Sequence, residues 1–123
     1  MLQEEKTTIS LDFDGVLHSY SGREKNFPIP EGEPVKNSLA MVSWLLAQKY
    51  DLVVHSARVN TDGGKEAIEQ WLQDWGFPAI PVSIKKPVAA LYIDDRGFRF
   101  DGNCNKVIDF LNKNPIPGRW EKE

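Results

Sequence analysis

The sequence predicts an α/β fold, a Rossmann-like parallel sheet in three layers with helices on both faces. Three observations carry this. Short apolar, β-branched runs alternate with segments of helical periodicity, which implies parallel strands joined by crossover helices. Three of those runs end in polar residues: Asp12 and Asp14, then Ser56 and Arg58, then Asp94 and Asp95. Parallel sheets bind ligands beyond the carboxyl ends of their strands, so this clustering is what a site on such a sheet requires. Finally, 123 residues suffice for one core and are too few for two ordinary ones, so residues 1–123 read as one domain.

Residues 7–11 form the first expected strand. Val35, Leu39, Val42 and Leu46 then recur at helical spacing, and Pro34 suits a first turn, which predicts a helix over 34–49. Leu52, Val53 and Val54 read as a buried strand ending at His55 and Ser56. A second helix follows, with Asp62 as cap, Ile68, Trp71, Leu72 and Trp75 on its core face, and Gly76 as its stop. Residues 80–84, flanked by proline, suit an edge strand, and 89–93 a stronger one. Phe98 to Phe100 reads as a short strand or turn, and Val107, Ile108 and Leu111 mark a last short helix. The tail 115–123 is expected on the surface.

Hydrophobic residues make up 41% and charged residues 27%, which is globular composition and argues against wholesale disorder. A net charge of −3 weakens any case for non-specific duplex binding. The single cysteine, Cys104, excludes an intrachain disulfide, and with only His18 and His55 beside it a structural zinc site is not expected. The N-terminus lacks the features of a signal peptide and no segment reaches membrane-spanning length, so a cytoplasmic protein without a membrane partner is expected.

The most informative stretch is Asp12-Phe13-Asp14-Gly15-Val16-Leu17. On an extended strand Asp12 and Asp14 point one way and Phe13 the other. Gly15 lets the chain turn away sharply. Two adjacent acids repel unless a cation or a shared proton relieves them, so the pair reads as a site, whereas an isolated Asp-Gly would read as a turn. Gly63-Gly64-Lys65 lacks the Walker pattern and reads as a helix entry.

In this order the residues resemble the haloacid dehalogenase (HAD) superfamily of aspartate-dependent phosphohydrolases. Asp12 to Leu17 looks like its first motif and Val53-Val54-His55-Ser56 like its second. A lysine of Ile84-Lys85-Lys86-Pro87 looks like the third, and Leu91-Tyr92-Ile93-Asp94-Asp95 like the fourth. The resemblance implies Asp12 as the nucleophile that forms an aspartyl-phosphate and Asp14 as general acid and base. Ser56 and the backbone around Gly15 would contact the phosphoryl group, and the lysine would offset its charge. Either Lys85 or Lys86 fits; Lys86 is favoured because the family often places proline directly after this lysine. Asp12, Asp94 and the Asp14 carbonyl would hold Mg²⁺, with Asp95 assisting directly or through water. Four carboxylates that must also receive an anionic phosphate call for such a cation, and all-oxygen ligands suit Mg²⁺ better than zinc.

Arg58 reads either as a fork onto the substrate phosphate or as a surface salt bridge. His55 is expected to be structural, on the face opposite Ser56. The intervals from Asp12 to Ser56 and from Ser56 to Lys86 are too short for a folded cap domain, so the chain resembles the capless subgroup. An open site admits phosphorylated small molecules and phosphorylated ends of macromolecules, nucleic acid included. The flap over 18–30, with Tyr20, Arg23 and Lys25, is expected either to set specificity or to be a polar surface hairpin. Arg96 and Arg99 are weak candidates for a nucleic-acid phosphate. A receiver-like domain is disfavoured by the order of its acids, and a silent binding module by the presence of both Asp12 and Asp14.

Overall fold

The structure, a computed structural model, describes residues 6–20 and 24–115. The N-terminal five residues, Arg23 of the flap and the expected tail beyond Pro115 lie outside them. The elements run β1 (Thr8–Asp12), α1 (Ser38–Ala47), β2 (Asp51–His55), a 3-10 turn (Ala57–Asn60), α2 (Gly64–Asp74), β3 (Val82–Ser83), β4 (Leu91–Ile93) and α3 (Cys104–Lys113). The four strands form an all-parallel sheet in the order β3-β2-β1-β4, flanked by helices, consistent with a Rossmann-like three-layer fold. No helix among the described residues is long and apolar enough to cross a membrane.

Strand alternation divides the sheet cleanly. Ile9 and Leu11 of β1 and Leu52 and Val54 of β2 share one face and pack with Val42 and Leu45 of α1 and Ile68, Trp71 and Leu72 of α2. Leu11, Val42, Val54 and Ile68 are fully withdrawn from water, each contributing roughly 1.5–3 kcal/mol. The other face carries Ser10, Asp12, Val53, His55 and Tyr92. Between β3 and β4 the chain crosses the sheet without a helix, and α3 contributes no buried residue.

The chain steps from β1 to β2 to β3 on one side and places β4 on the other, so the strand order reverses at the β1/β4 boundary. Ligand crevices form at such a switch point. Asp12 and Asp14 follow one of its two strands, and Asp94 and Asp95 follow the other.

Several elements differ from expectation for local reasons. Helix α1 begins at Ser38 because Asn37 sits in the left-handed region at φ 68°, while Pro34 pairs with His18 and the Val35 amide bonds the Leu17 carbonyl. Gly63, not Asp62, occupies the α2 cap position, without a side-chain hydrogen bond. Gly76, at φ 80°, ends α2 as expected. Trp75 caps the C-terminal end of α2 and is 45% exposed, whereas Trp71 joins the core. The edge strand shrinks to Val82–Ser83, and residues 98–100 form neither strand nor turn.

Candidate active site

Asp12 ends β1, partly buried, and its Oδ1 accepts a hydrogen bond from the Phe13 amide at 2.9 Å. The carbonyl of Phe13 takes the amides of Leu17 and His18, both at 2.9 Å, and winds 13–18 into a tight turn that returns the chain across the strand end. Gly15 holds that turn at φ 86°, and a Cβ built there would lie 2.1 Å from an Asp95 carboxylate oxygen. The turn after β1 and the loop after β4 therefore touch through a space only glycine leaves open. Gly15→Ala is expected to cost about 1–3 kcal/mol through the positive φ and the displaced Asp95. A lowered urea midpoint would check this, and an unchanged midpoint would contradict it.

Burial pushes the Asp12 carboxyl up to about 6, the Phe13 amide opposes this, and the charges of Asp95, Asp14 and Asp94 add to it. The acids thus share one field. Among the described residues, however, no three His, Cys, Asp or Glu side chains are gathered to hold an ion. Asp94 turns its Oδ1 back onto its own loop, accepting from the Arg96 amide at 2.9 Å and from the Gly97 amide.

A cavity of about 290 Å³ opens beside Asp12, lined by Ser10, His55, Lys86, Tyr92 and Asp94 among others. Lys86, not Lys85, lines it, with its Nζ 4.8 Å from the centre of the Tyr92 ring. His55 lies on the face opposite Ser56 as expected, but the β1–β2 register places it directly beside Asp12 on that face. It is therefore a cavity residue and not a purely structural one. The signal was available: parallel partners in register share a face.

Ser56 is buried and caps the 3-10 turn, its Oγ accepting from the Arg58 amide at 3.2 Å. The Ser56 hydroxyl hydrogen stays available as a donor.

Arg58 corrects both of its readings. The side chain is 1% exposed, so it is no surface salt bridge, and its fork closes on Asp14 and not on open space. Nε and Nη2 donate to Asp14 oxygens, each at 2.9 Å; Nη2 also donates to Glu24 at 2.6 Å, and Nη1 to the Pro28 carbonyl at 2.8 Å. The rings of Phe13, Tyr20 and Phe27 surround its guanidinium at 4.9 to 5.8 Å. Sequence reasoning missed the partner Glu24, whose side chain is only 6% exposed although it stands in a polar flap.

His18 completes the arrangement. Its ring stacks on Phe13 at 5.0 Å and meets Trp71 edge-on at 5.3 Å. Nδ1 lies 2.8 Å from Asp14 Oδ1, while Nε2 lies 2.9 Å from the Gly32 amide and 3.2 Å from a Glu24 oxygen. Nε2 accepts the Gly32 amide, so the ring hydrogen sits on Nδ1 and is donated to Asp14 Oδ1. Burial alone would raise the Asp14 carboxyl, but the hydrogen bonds from His18 and Arg58, with their charges, together hold it below the ordinary value. The flap is thus anchored from within, and Trp71 Nε1 adds a bond to the Gly32 carbonyl at 2.9 Å. Tyr20 and Phe27, packed over Arg58, stay partly exposed, as does Ile29.

No family model matches the chain, and a search of curated proteins finds no match. Among solved structures the chain is similar to a conserved protein from Bacteroides thetaiotaomicron, at 20% identity and a TM-score of 0.57, over 91% of this chain and 94% of that one. At this identity the likeness is one of fold.

Proposed function

We propose that the protein is a capless, Mg²⁺-dependent phosphate monoester hydrolase of the HAD type, working through an aspartyl-phosphate on Asp12. The observation that supports this best is the placement of Asp12 at the switch point, partly buried, with Lys86 and Asp94 lining one cavity beside it. An Asp12 oxygen attacks phosphorus as the ester P–O bond breaks. Asp14, held as a carboxylate by Arg58 and His18, takes up a proton from solvent and passes it to the departing oxygen, then takes one from the water that hydrolyses the acyl phosphate and frees Asp12. Ser56 donates its hydroxyl hydrogen to a phosphoryl oxygen, and Lys86 offsets the charge that builds on the transferring group.

Asp12, Asp94 and the Asp14 carbonyl would hold Mg²⁺, with Asp95 directly or through water. The cation supplies charge compensation between these acids and an anionic ester. The oxygen-only donor set suits a hard ion in kind, though its side chains would have to draw together around it; burial first, and then the acidic neighbours, push Asp12 up, and such an ion would relieve the second of these.

An open site with exposed flap rings suits either a phosphorylated small molecule or a phosphorylated macromolecular end. A cytoplasmic location belongs to the same reading; Cys104 is exposed and unpaired. Release of phosphate from p-nitrophenyl phosphate is expected with Mg²⁺, to fall at least about 100-fold in EDTA and to return when Mg²⁺ is restored. Release indifferent to EDTA would sink the proposal. Phosphorylated oligonucleotides and phosphopeptides, assayed alongside, separate the substrate classes.

A further inference from the structure

Lys86 stands on the crossing between β3 and β4, exposed to solvent, and its side chain lines the cavity beside Asp12. A lysine on an exposed loop has many rotamers, and nothing in the reaction just described holds it in one. Among the described residues the lysines in ion pairs are Lys65, with Glu69, and Lys106, with Asp101; Lys86 has no such partner.

Tyr92 holds it instead. That residue pairs with Ser10 in the β1–β4 register and shares the sheet face of Asp12. Its ring centre lies 4.8 Å from Lys86 Nζ. Its hydroxyl donates to the Pro87 carbonyl at 2.7 Å and accepts from the Ala89 amide at 3.2 Å. One side chain therefore grips both the end of Lys86 and the backbone that follows it. On the other side the Ser83 hydroxyl donates to the Lys85 carbonyl, so the segment is fastened to β3 before the lysine and to β4 after it.

We propose that Tyr92 is the positioning residue for Lys86, its ring and hydroxyl together aiming the ammonium across the cavity at the phosphoryl group on Asp12. This rests on the hydrolase reading above.

The kind of contact matters. A carboxylate would also hold the ammonium, but it would offset the positive charge and occupy the N–H groups. An aromatic face attracts the cation through its quadrupole and brings no charge of its own. Lys86 thus keeps its full charge and its donors for the phosphoryl oxygens, where negative charge builds during transfer. The hydroxyl acts on the backbone. Pro87 and Ala89 belong to no strand or helix, so Tyr92 supplies hydrogen bonds that regular structure gives elsewhere.

The test is a double-substitution cycle on kcat/KM for p-nitrophenyl phosphate at saturating Mg²⁺. Tyr92→Leu removes ring and hydroxyl and is expected to lower kcat/KM about 10- to 30-fold, whereas Tyr92→Phe keeps the ring and should lose about 2- to 5-fold. Lys86→Met should lose about 100- to 1,000-fold. Added to Lys86→Met, Tyr92→Leu should cost less than about 2-fold more, because a residue that works through the lysine has nothing left to aim. Losses that multiply overturn the proposal, since they place the effect in β4 itself, which leads into Asp94. A Tyr92→Leu protein as active as wild type overturns it too. If Tyr92→Leu does not fold, Tyr92→Phe goes through the same cycle. The contact is also read without activity: the ring should shift the Lys86 ε-methylene NMR signals upfield in wild type and in Tyr92→Phe, and their absence in wild type overturns the proposal. Release that survives Asp12→Asn, or a wild type that releases no phosphate, would instead overturn the hydrolase reading, and this inference with it.

Discussion

Asp12→Asn is expected to abolish phosphate release, by at least about 10⁴-fold, while making the metal-free protein more stable at neutral pH. The first effect follows from removing the nucleophile: an amide oxygen does not form the covalent intermediate, and loss of a nucleophile typically costs several orders of magnitude. The second follows from the field at the strand end. Burial, with Asp95, Asp14 and Asp94, lifts the Asp12 carboxyl from 3.8 to about 6. A carboxyl raised in the folded state favours folding while it keeps its proton, and that advantage fades as the pH climbs from about 4 through 6. Asp14 moves the other way, so its stabilisation is present above the ordinary carboxylate range and is lost only in stronger acid.

Wild type in EDTA should therefore lose stability across that window, and Asp12→Asn should not. Allowing for the partial exposure of Asp12, the difference above pH 7 is about 1–2 kcal/mol. Urea unfolding in EDTA at pH 5 and pH 7.5 measures it. Mg²⁺ should raise the wild-type midpoint and leave the variant's nearly unchanged. An Asn variant less stable than wild type at pH 7.5 would contradict the account of this cluster.

The largest stability effect is expected at Arg58. Arg58→Met takes the charged donor from Asp14 and Glu24, leaving them His18 and the Glu31 amide, and strips the Pro28 carbonyl of its guanidinium partner, in a region where Arg58 itself is 1% exposed. Removing one member of a buried charged group costs about 3–5 kcal/mol because the remaining charges stay desolvated. For a chain of this size that lowers the melting temperature by roughly 10–20 °C. Arg58→Lys should recover only part of it, since one ammonium cannot span two carboxylates and a carbonyl in the geometry of a planar fork. Combining Arg58→Met with Glu24→Gln removes one stranded charge and is expected to be less damaging than the sum of the two. A melting temperature for Arg58→Met within a few degrees of wild type would show that water reaches Asp14 and Glu24.

The sequence displayed the part of this design that is local. Period-two alternation across residues 8–12 announces which way Asp12 points, and the acids at 94–95 repeat the signal on a second strand. Lys86 was favoured over its neighbour and does line the cavity. What stayed hidden depends on contacts distant in the chain. Arg58 was assigned to a phosphate or to solvent because its real partners, Asp14 and Glu24, lie 44 and 34 positions away. Glu24 looked like one more charge in a polar stretch until the flap folded inward. His55 was set aside because its orientation was judged against Ser56 and not against Asp12, its partner across the register. Trp75 followed helical periodicity but fell at the cap beyond the last residue of α2, so the spacing was right and the burial was not.

The two halves of the site hang on strands of very different quality. β1 is a central strand of five residues, its Ile9, Ser10 and Leu11 all buried. β4 is an edge strand of three, with Leu91 and Tyr92 exposed and a single neighbour. Amide hydrogen exchange should therefore be slow at Leu11 and orders of magnitude faster at Tyr92, through local opening that leaves the rest of the sheet intact. Any ion or phosphate that engages Asp12 and Asp94 together also closes that opening, so occupancy and the folding of β4 are one equilibrium. Affinity can then be tuned by changes to Leu91 or Tyr92 that touch no ligand.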